Sequence, residues 1–540
     1  MSLSRRDILK AAAAGAGCVL LPSCATERNA MNRQPNNRPN IIYILADDLG
    51  YGDVSCFNPQ GKIPTPHLDR LAAGGMRFTD AHATSAVCSP SRYGVLTGRY
   101  NWRTRLQSGI VGVYGDPLIA PDRLTVAGLL KQSGYATACI GKWHLGQGWA
   151  FEPTIDFVPD RSKGATPATP QQQALWREAF SKPTTGGPTT RGFDYYFGTD
   201  VPNWPPYCYI ENDRTVGIPT EFLPARLIGN NQGSIPGPAL AGWNFEQLLP
   251  TYAQRAGDYI RRQARQPNPF FLYMPLTSPH TPLAVNDEWK GKSGLNLYAD
   301  FVMETDAIVG RVLDALEQSG AADNTIVMFA SDNGCAPYIG VPEMEAKGHF
   351  PSAQYRGYKA DAWDGGHRIP FIARWPGVVK PGRTCDQTVC LSDLMATCSQ
   401  ITAQPLPDTA GEDSVSLLPL LQGQDRPVRE HVVHHSITGK FAIRSGKWKL
   451  VLCGGSGGWA SPNDAEAAKL GLPSIQLYDM QADPGERTNL HAERADVVET
   501  LSALLQRLVD AGRSTPGRPQ SNDVPVDIWK GSSKTEPDDA

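Results

Sequence analysis

The chain has 540 residues, a formal charge of −3, and 41% hydrophobic and 19% charged residues. That length can bury a large core, and the near-balanced charge carries no whole-chain signal for nucleic-acid or membrane-surface binding. Glycine (53) and proline (45) are abundant, which predicts many long loops.

In chain order, residues 1–24 come first. Arg5 and Arg6 precede an apolar run from Ala11 to Leu21. The run is too short to span a bilayer comfortably and reads as a signal peptide. SRRDILK resembles a twin-arginine export signal, which hands folded proteins to a bacterial export machinery. LPSC resembles a lipoprotein box and makes Cys24 a candidate lipid anchor. The expected location is therefore the periplasm or the cell envelope of a bacterium. Residues 25–38 read as a polar tether.

Four short apolar runs then read as buried strands: NIIYILA (Asn40–Ala46), TACIG (Thr137–Gly141), PFFLYMPL (Pro269–Leu276) and TIVMFAS (Thr325–Ser331). Amphipathic helical patterns lie between them, with Leu68, Leu71 and Ala72 on one face, then LTVAGLLKQSG, then Ala299–Gly320. The alternation predicts an α/β domain over 39–409, a large mainly parallel sheet sandwiched by helices. Residues from about Gln147 to Gly257, rich in Pro, Gly, Thr and aromatics, read as insertions rimming a site. After about Ala410 the pattern changes. A hairpin (Phe441–Leu452), a strand and turn (Ile475–Leu490) and a helix (about Ala495–Ala511) predict a smaller α+β subdomain over 410–530. Residues 531–540 read as a disordered tail. Two of the 11 cysteines fall in the signal. The remaining nine leave at least one thiol unpaired within a monomer.

The chemistry-bearing residues follow the strands. Asp47-Asp48 and Asp332-Asn333 each end an apolar run. Either pair alone could shape a turn or cap a helix. Both at one edge of one sheet point to a hard cation such as Ca²⁺ or Mg²⁺. In open α/β sheets ligands bind beyond the carboxyl ends of the strands. CSPSR places Cys88 where Pro90 suits a helix start, and Arg92 adds a fork for an oxyanion. Lys142 and His144 (GKWHLG), His280 (TSPHTP) and Lys359 (YKADAWDGGHR) are further candidates, though each alone has an ordinary structural reading.

Together these segments strongly resemble the type I sulfatases of the alkaline phosphatase superfamily, those related to arylsulfatase A and N-acetylgalactosamine-6-sulfatase. RPNIIYILADDLGYGD, CSPSRYGVLTGRY, GYATACIGKWHLG, FFLYMPLTSPHTP, VMFASDNG, YKADAWDGGHRIPFIARWPG and LYDMQADPGERTNL carry the likeness in family order. The resemblance implies an alkaline phosphatase-like fold and hydrolysis of sulfate esters. It implies that a separate maturation enzyme oxidises Cys88 to Cα-formylglycine. It further implies that Asp47, Asp48, Asp332 and Asn333, with residue 88, bind Ca²⁺, Mg²⁺ being the alternative. Arg92, Lys142, His144, His280 and Lys359 would hold the sulfate and move protons. The expected substrate is a sulfated polysaccharide or glycosaminoglycan. Trp204, His434 and His435 are candidate substrate contacts, and Tyr207 and Tyr209 could stack on sugars. The alternatives are a phosphomono- or phosphodiesterase of the same superfamily, and a sulfated-glycan binding protein that is never matured.

Overall fold

A computed structural model describes residues 38–158, 167–224, 227–228, 231–232 and 234–530. The expected signal peptide with Cys24, the tether up to residue 37 and the tail at 531–540 lie outside the described residues.

Among the described residues, ten strands form one sheet: β1 (Asn40–Asp47), β2 (Met76–Phe78), β3 (Ala136–Lys142), β4 (Tyr195–Thr199), β5 (Ile210–Glu211), β6 (Arg214–Thr215), β7 (Phe270–Pro279), β8 (Thr325–Ser331), β9 (Phe371–Arg374) and β10 (Arg383–Cys385). Their order is β10-β2-β9-β8-β1-β7-β3-β4-β5-β6. The central strands β8-β1-β7-β3-β4 are mutually parallel. Antiparallel neighbours flank them on both sides.

Strand β1 shows why the sequence is apolar without alternation. Ile42, Ile44 and Ala46 enter one core, and Ile41, Tyr43 and Leu45 enter the other. Both faces are covered, so every position is selected for burial, worth about 1.5–3 kcal/mol per large aliphatic side chain. Helices α1 (Pro66–Ala73), α2 (Cys88–Thr97), α3 (Val126–Gln132), α4 (Leu248–Gln263), α5 (Leu297–Gln318) and α6 (Leu394–Thr402) supply the covers. Leu68 of α1, Tyr252 and Ile260 of α4 and Val309 of α5 pack on one face; Leu96 of α2, Leu130 of α3 and Met395 of α6 pack on the other. The long helix α5 begins where Asn296 accepts a hydrogen bond from the Ala299 N–H. The four strand readings and the three helical patterns all appear at the expected places.

The segment expected only as insertions does more than rim a site. It contributes β4 to the parallel set and the core helix α4. Strand β4 is short and contains Gly198. A Cβ there would lie 1.7 Å from the Gly141 carbonyl oxygen, so β3 and β4 approach where only glycine fits.

The smaller sheet is antiparallel: β11 (His431–His435), β12 (Phe441–Ser445), β13 (Trp448–Val451) and β14 (Gln476–Asp479). Helix α7 (Ala495–Asp510) buries Leu501 and Leu505 against Ile443, Leu450 and Leu477. This sheet is tied back to the large one. The His435 carbonyl accepts the Ala86 N–H at 3.0 Å and the Ser85 hydroxyl at 2.8 Å, just ahead of Cys88. The nine cysteines from Cys56 to Cys453 are all free thiols. No helix among the described residues is long and apolar enough to cross a membrane.

Candidate active site

Parallel pairing brings distant residues to one edge. Ala46 pairs with Ser331 and Asp47 with Pro279, so Asp48, His280 and Asp332 leave their strands side by side, with Lys142 ending β3 beyond. Cys88 is the first residue of α2, after the extended Val87. Arg92 follows one turn later, so the C-x-P-x-R spacing sets thiol and guanidinium on one helix face. Arg92 Nη2 lies 2.7 Å from Asp332 Oδ2 and 3.3 Å from Asp47 Oδ1. Lys142 Nζ donates to Asp47 Oδ2 at 2.6 Å. Lys359 Nζ lies 2.6 Å from Asp48 Oδ1 and 3.4 Å from Cys88 Sγ. His280 Nε2 is 3.7 Å from Asp48 Oδ2. Asp48 and His144 both hold φ near +60° (63° and 52°), a conformation few residues adopt unless the surroundings enforce it. The Asp48 N–H is pinned by Asp332 Oδ1 at 3.1 Å.

Three buried carboxylates thus face three buried cations. Burial alone would raise the Asp47 carboxyl, but Lys142, His280 and Arg92 hold it well below the usual range. Burial, reinforced by the neighbouring Asp47, pushes Asp332 up to about 7. Burial opposes the charge on Lys359, yet Asp48 keeps its ammonium well above the usual value. Burial pushes the Cys88 thiol up to about 12 and His280 down to about 4. His144 falls well below the usual imidazole range through burial and the nearby Lys142 and Arg92. A neutral His144 donates from Nε2 to the Val111 carbonyl at 3.1 Å, which leaves Nδ1 buried and unpartnered, its lone pair free.

The donor set fits a hard cation. Ligand atoms of Asp47, Asp48, Cys88 and His280 lie within 4.8 Å of one another. Asn333 Nδ2 donates to Asp48 Oδ1 at 2.8 Å, while Asn333 Oδ1 is buried without a partner. An orphaned carbonyl beside crowded carboxylates is an oxygen ligand set of the kind divalent ions take.

A cavity of about 220 Å³ opens over Cys88, His280 and Lys359, lined also by His144, Trp204 and Tyr338. Trp204 meets His144 edge-on at 5.3 Å. The other aromatic and histidine candidates are elsewhere. Tyr207 is buried with its hydroxyl donating to the Asn203 carbonyl, and Tyr209 packs on Phe197 and Trp243. His434 and His435, expected as substrate contacts, do not line the pocket. His434 stacks on His367 at 3.6 Å beside His82, and His435 packs edge-on to Phe441. Both are buried because β11 is covered on both faces. Sequence reasoning missed Asn203, Tyr338 and Trp459, which do line it.

A cysteine at a helix start, an arginine one turn on and acids at neighbouring strand ends define a hydrolase site for a tetrahedral anion. The chain belongs to the sulfatase family: residues 39–403 match the family model described as Sulfatase. It is 34% identical over 539 residues to N-acetylgalactosamine-6-O-sulfatase of Bacteroides thetaiotaomicron, covering 91% of this chain and 97% of that one. It is 32% identical to human arylsulfatase A, covering 87% and 86%. A solved structure from work on glycosaminoglycan metabolism by Bacteroides thetaiotaomicron superposes with a TM-score of 0.73 at 32% identity, covering 87% of this chain and 99% of that one. The protein is a sulfuric ester hydrolase, and the family implies a metal-assisted, formylglycine-dependent site.

Proposed function

We propose that this enzyme removes sulfate from a sulfated saccharide of the glycosaminoglycan type, with Cys88 matured to Cα-formylglycine. The observation that carries the reading is the position of Cys88. It lines the cavity beside Lys359 and the acid cluster, with its sulfur 3.7 Å from Asp47 Oδ1 and 3.4 Å from Lys359 Nζ. The names of the relatives support the substrate class.

The hydrated aldehyde at position 88 would supply one hydroxyl, giving up its proton to the adjoining acid cluster as it attacks sulfur, and a second whose collapse back to aldehyde would expel sulfate. Asp47, Asp48, Asp332 and Asn333 would hold a Ca²⁺, which would supply positive charge beside it. The chain's own residues do the rest. Arg92, Lys142 and Lys359 hold charge on the sulfuryl oxygens. His280 keeps its Nδ1 donating to the Thr281 carbonyl at 2.6 Å, so Nε2 is the atom that faces the pocket and hands a proton to the leaving alcohol oxygen. The arriving sulfate ester brings negative charge to Nε2 and so favours its protonated form. His144 Nδ1 accepts the proton of the second hydroxyl.

The twin-arginine pattern supports export of a folded, already matured enzyme to the periplasm, with Cys24 as a lipid attachment point. In this reading residues 39–409 carry the catalytic residues and 410–530 complete the site from the side. Two measurements test the function: the mass of the Cys88 peptide from the native host, and relative turnover of sulfate and phosphate monoesters. A lighter, aldehyde-bearing peptide and faster sulfate hydrolysis are expected. An unmodified thiol, or markedly faster phosphate cleavage, overturns the reading.

A further inference from the structure

Trp459 is 43% exposed, although it lines the catalytic cavity and sits in a loop anchored by backbone hydrogen bonds to a buried carboxylate. The loop is GGSGGWASP. The N–H groups of Trp459 and Ala460 both donate to Asp361 Oδ1, at 2.8 and 3.0 Å. Asp361 is fully buried, two residues beyond Lys359, and its other oxygen accepts the Tyr358 N–H at 2.9 Å. The Ala362 N–H donates to the Ser456 carbonyl at 2.7 Å. A Cβ on Gly458 would lie 2.4 Å from the Ala360 carbonyl oxygen, so the loop presses on the Lys359 segment where only glycine fits. A large apolar ring is thus displayed to solvent on a rigid mount beside the reacting centre.

Its surroundings say what it meets. The Tyr338 ring lies 5.7 Å away, tilted by 42°, and extends the surface toward the pocket. The same cavity is lined by Trp204 and by Asn203, whose Oδ1 is buried and accepts no hydrogen bond. Aromatic rings and a free amide acceptor lining one cavity match a sugar ring, which offers both a C–H face and hydroxyls. The cavity, about 220 Å³, is smaller than the roughly 300–1,000 Å³ of sites for larger ligands. A space of that size suits one sugar ring over Cys88 and would leave a linked second ring at the mouth.

We infer that Trp459, backed by Tyr338, is the platform on which the sugar ring linked to the sulfate-bearing one stacks, and that it sets a preference for oligosaccharide over monosaccharide substrates. The inference rests on the sulfatase reading above and adds a subsite to it. A fixed platform loses no ordering entropy when the second ring arrives, which is why the mount on Asp361 matters.

The test uses matured full-length enzyme, wild type and the variants Trp459→Ala and Trp459→Phe. The substrates are 6-O-sulfated N-acetylgalactosamine alone, the same sugar at the non-reducing end of a disaccharide, and 4-nitrophenyl sulfate. The readout is the ratio of kcat/KM on the disaccharide to that on the monosaccharide. Trp459→Ala should lower this ratio about tenfold, mainly through KM, and Trp459→Phe should restore part of it. A ratio unchanged in Trp459→Ala overturns the platform, as does an equal loss on both sugars. Wild-type turnover of 4-nitrophenyl sulfate with no advantage for the disaccharide also overturns it, while the sulfatase reading stands. Matured wild type inactive on every sulfate ester brings down the sulfatase reading and the platform with it.

Discussion

Replacing His435 by Phe should change how stability depends on pH and leave the pocket alone. His435 is buried against Phe441, its Nε2 has no partner, and burial together with Lys530 lowers it from 6.5 to about 3. The folded protein therefore keeps this imidazole neutral down to about pH 3, whereas the unfolded chain protonates it below about 6.5. Neutral burial is fully accommodated above pH 6.5, and stability drains away as pH falls toward 3. One pK unit is worth about 1.4 kcal/mol, so at pH 5 the single group costs about 2 kcal/mol relative to neutral pH. Phe fills a similar volume in an apolar cluster and takes up no proton. Urea unfolding at pH 7.5 and 5.0 reads the difference. Between the two pH values the wild type should lose about 2 kcal/mol more than His435→Phe. Parallel pH dependences would refute the argument. So would a variant whose only defect is weaker saccharide binding, because that would return His435 to the substrate pocket.

Cys88→Ala should abolish turnover yet unfold within about 1 kcal/mol of wild type, since it removes one buried sulfur and no backbone hydrogen bond; activity in this variant, or an unfolded protein, contradicts a reagent role. On the proposed calcium site, Asp332→Asn keeps an acceptor for the Asp48 N–H but removes one negative charge beside Arg92 and Asp47, so the Ca²⁺ needed for half-maximal activity should rise by about 100-fold in a chelator-buffered titration. An unchanged calcium requirement would take Asp332 out of the ligand set. Gly141→Ala would set a Cβ 1.8 Å from the Pro275 carbonyl oxygen at a φ of +136°, forcing β3 and β7 apart next to Lys142. A shift of the order of 1 Å costs about 100-fold in kcat, measured at equal formylglycine content. Wild-type kcat with an unchanged melting curve would show that the strands tolerate the methyl.

The parallel sheet was legible because its central strands are covered twice. Such strands cannot alternate, so NIIYILA and TIVMFAS announce themselves, and the polar residues at their ends inherit a common edge from topology. The core of the site was legible for the same reason: Asp47, Lys142, His280 and Asp332 each terminate or directly follow a strand. Strand β4 was not, because YYFGT trades aliphatic residues for tyrosines and a glycine that the β3 contact demands. Helix α4 carries a strong amphipathic pattern, yet it directly follows the Pro- and Gly-rich segment and was read as part of it. His434 and His435 were misplaced because adjacent strand residues point to opposite faces, and HVVHH does not say that both faces are buried.

Trp459 shows the deeper limit. Within GGSGGWASP nothing distinguishes a displayed ring from one in a slack spacer. What fixes it is Asp361, 98 residues earlier in the chain. Asp361 spends both oxygens on backbone N–H groups, one from its own loop and two from the tryptophan loop. One buried carboxylate therefore sets the position of Lys359 at the reacting centre and that of Trp459 at the mouth in a single rigid piece. The chemistry comes from the large sheet, whose strand ends are crowded with ions and have little room left to recognise a sugar. Recognition on the inferred reading falls to other elements, and the loop after β13 reaches the pocket together with Asn203, Trp204 and Tyr338. With Trp459 as the platform inferred above, catalysis and saccharide choice are built on different parts of the chain, and substitutions within 455–460 should change substrate preference while the acids, the lysines and residue 88 stay as they are.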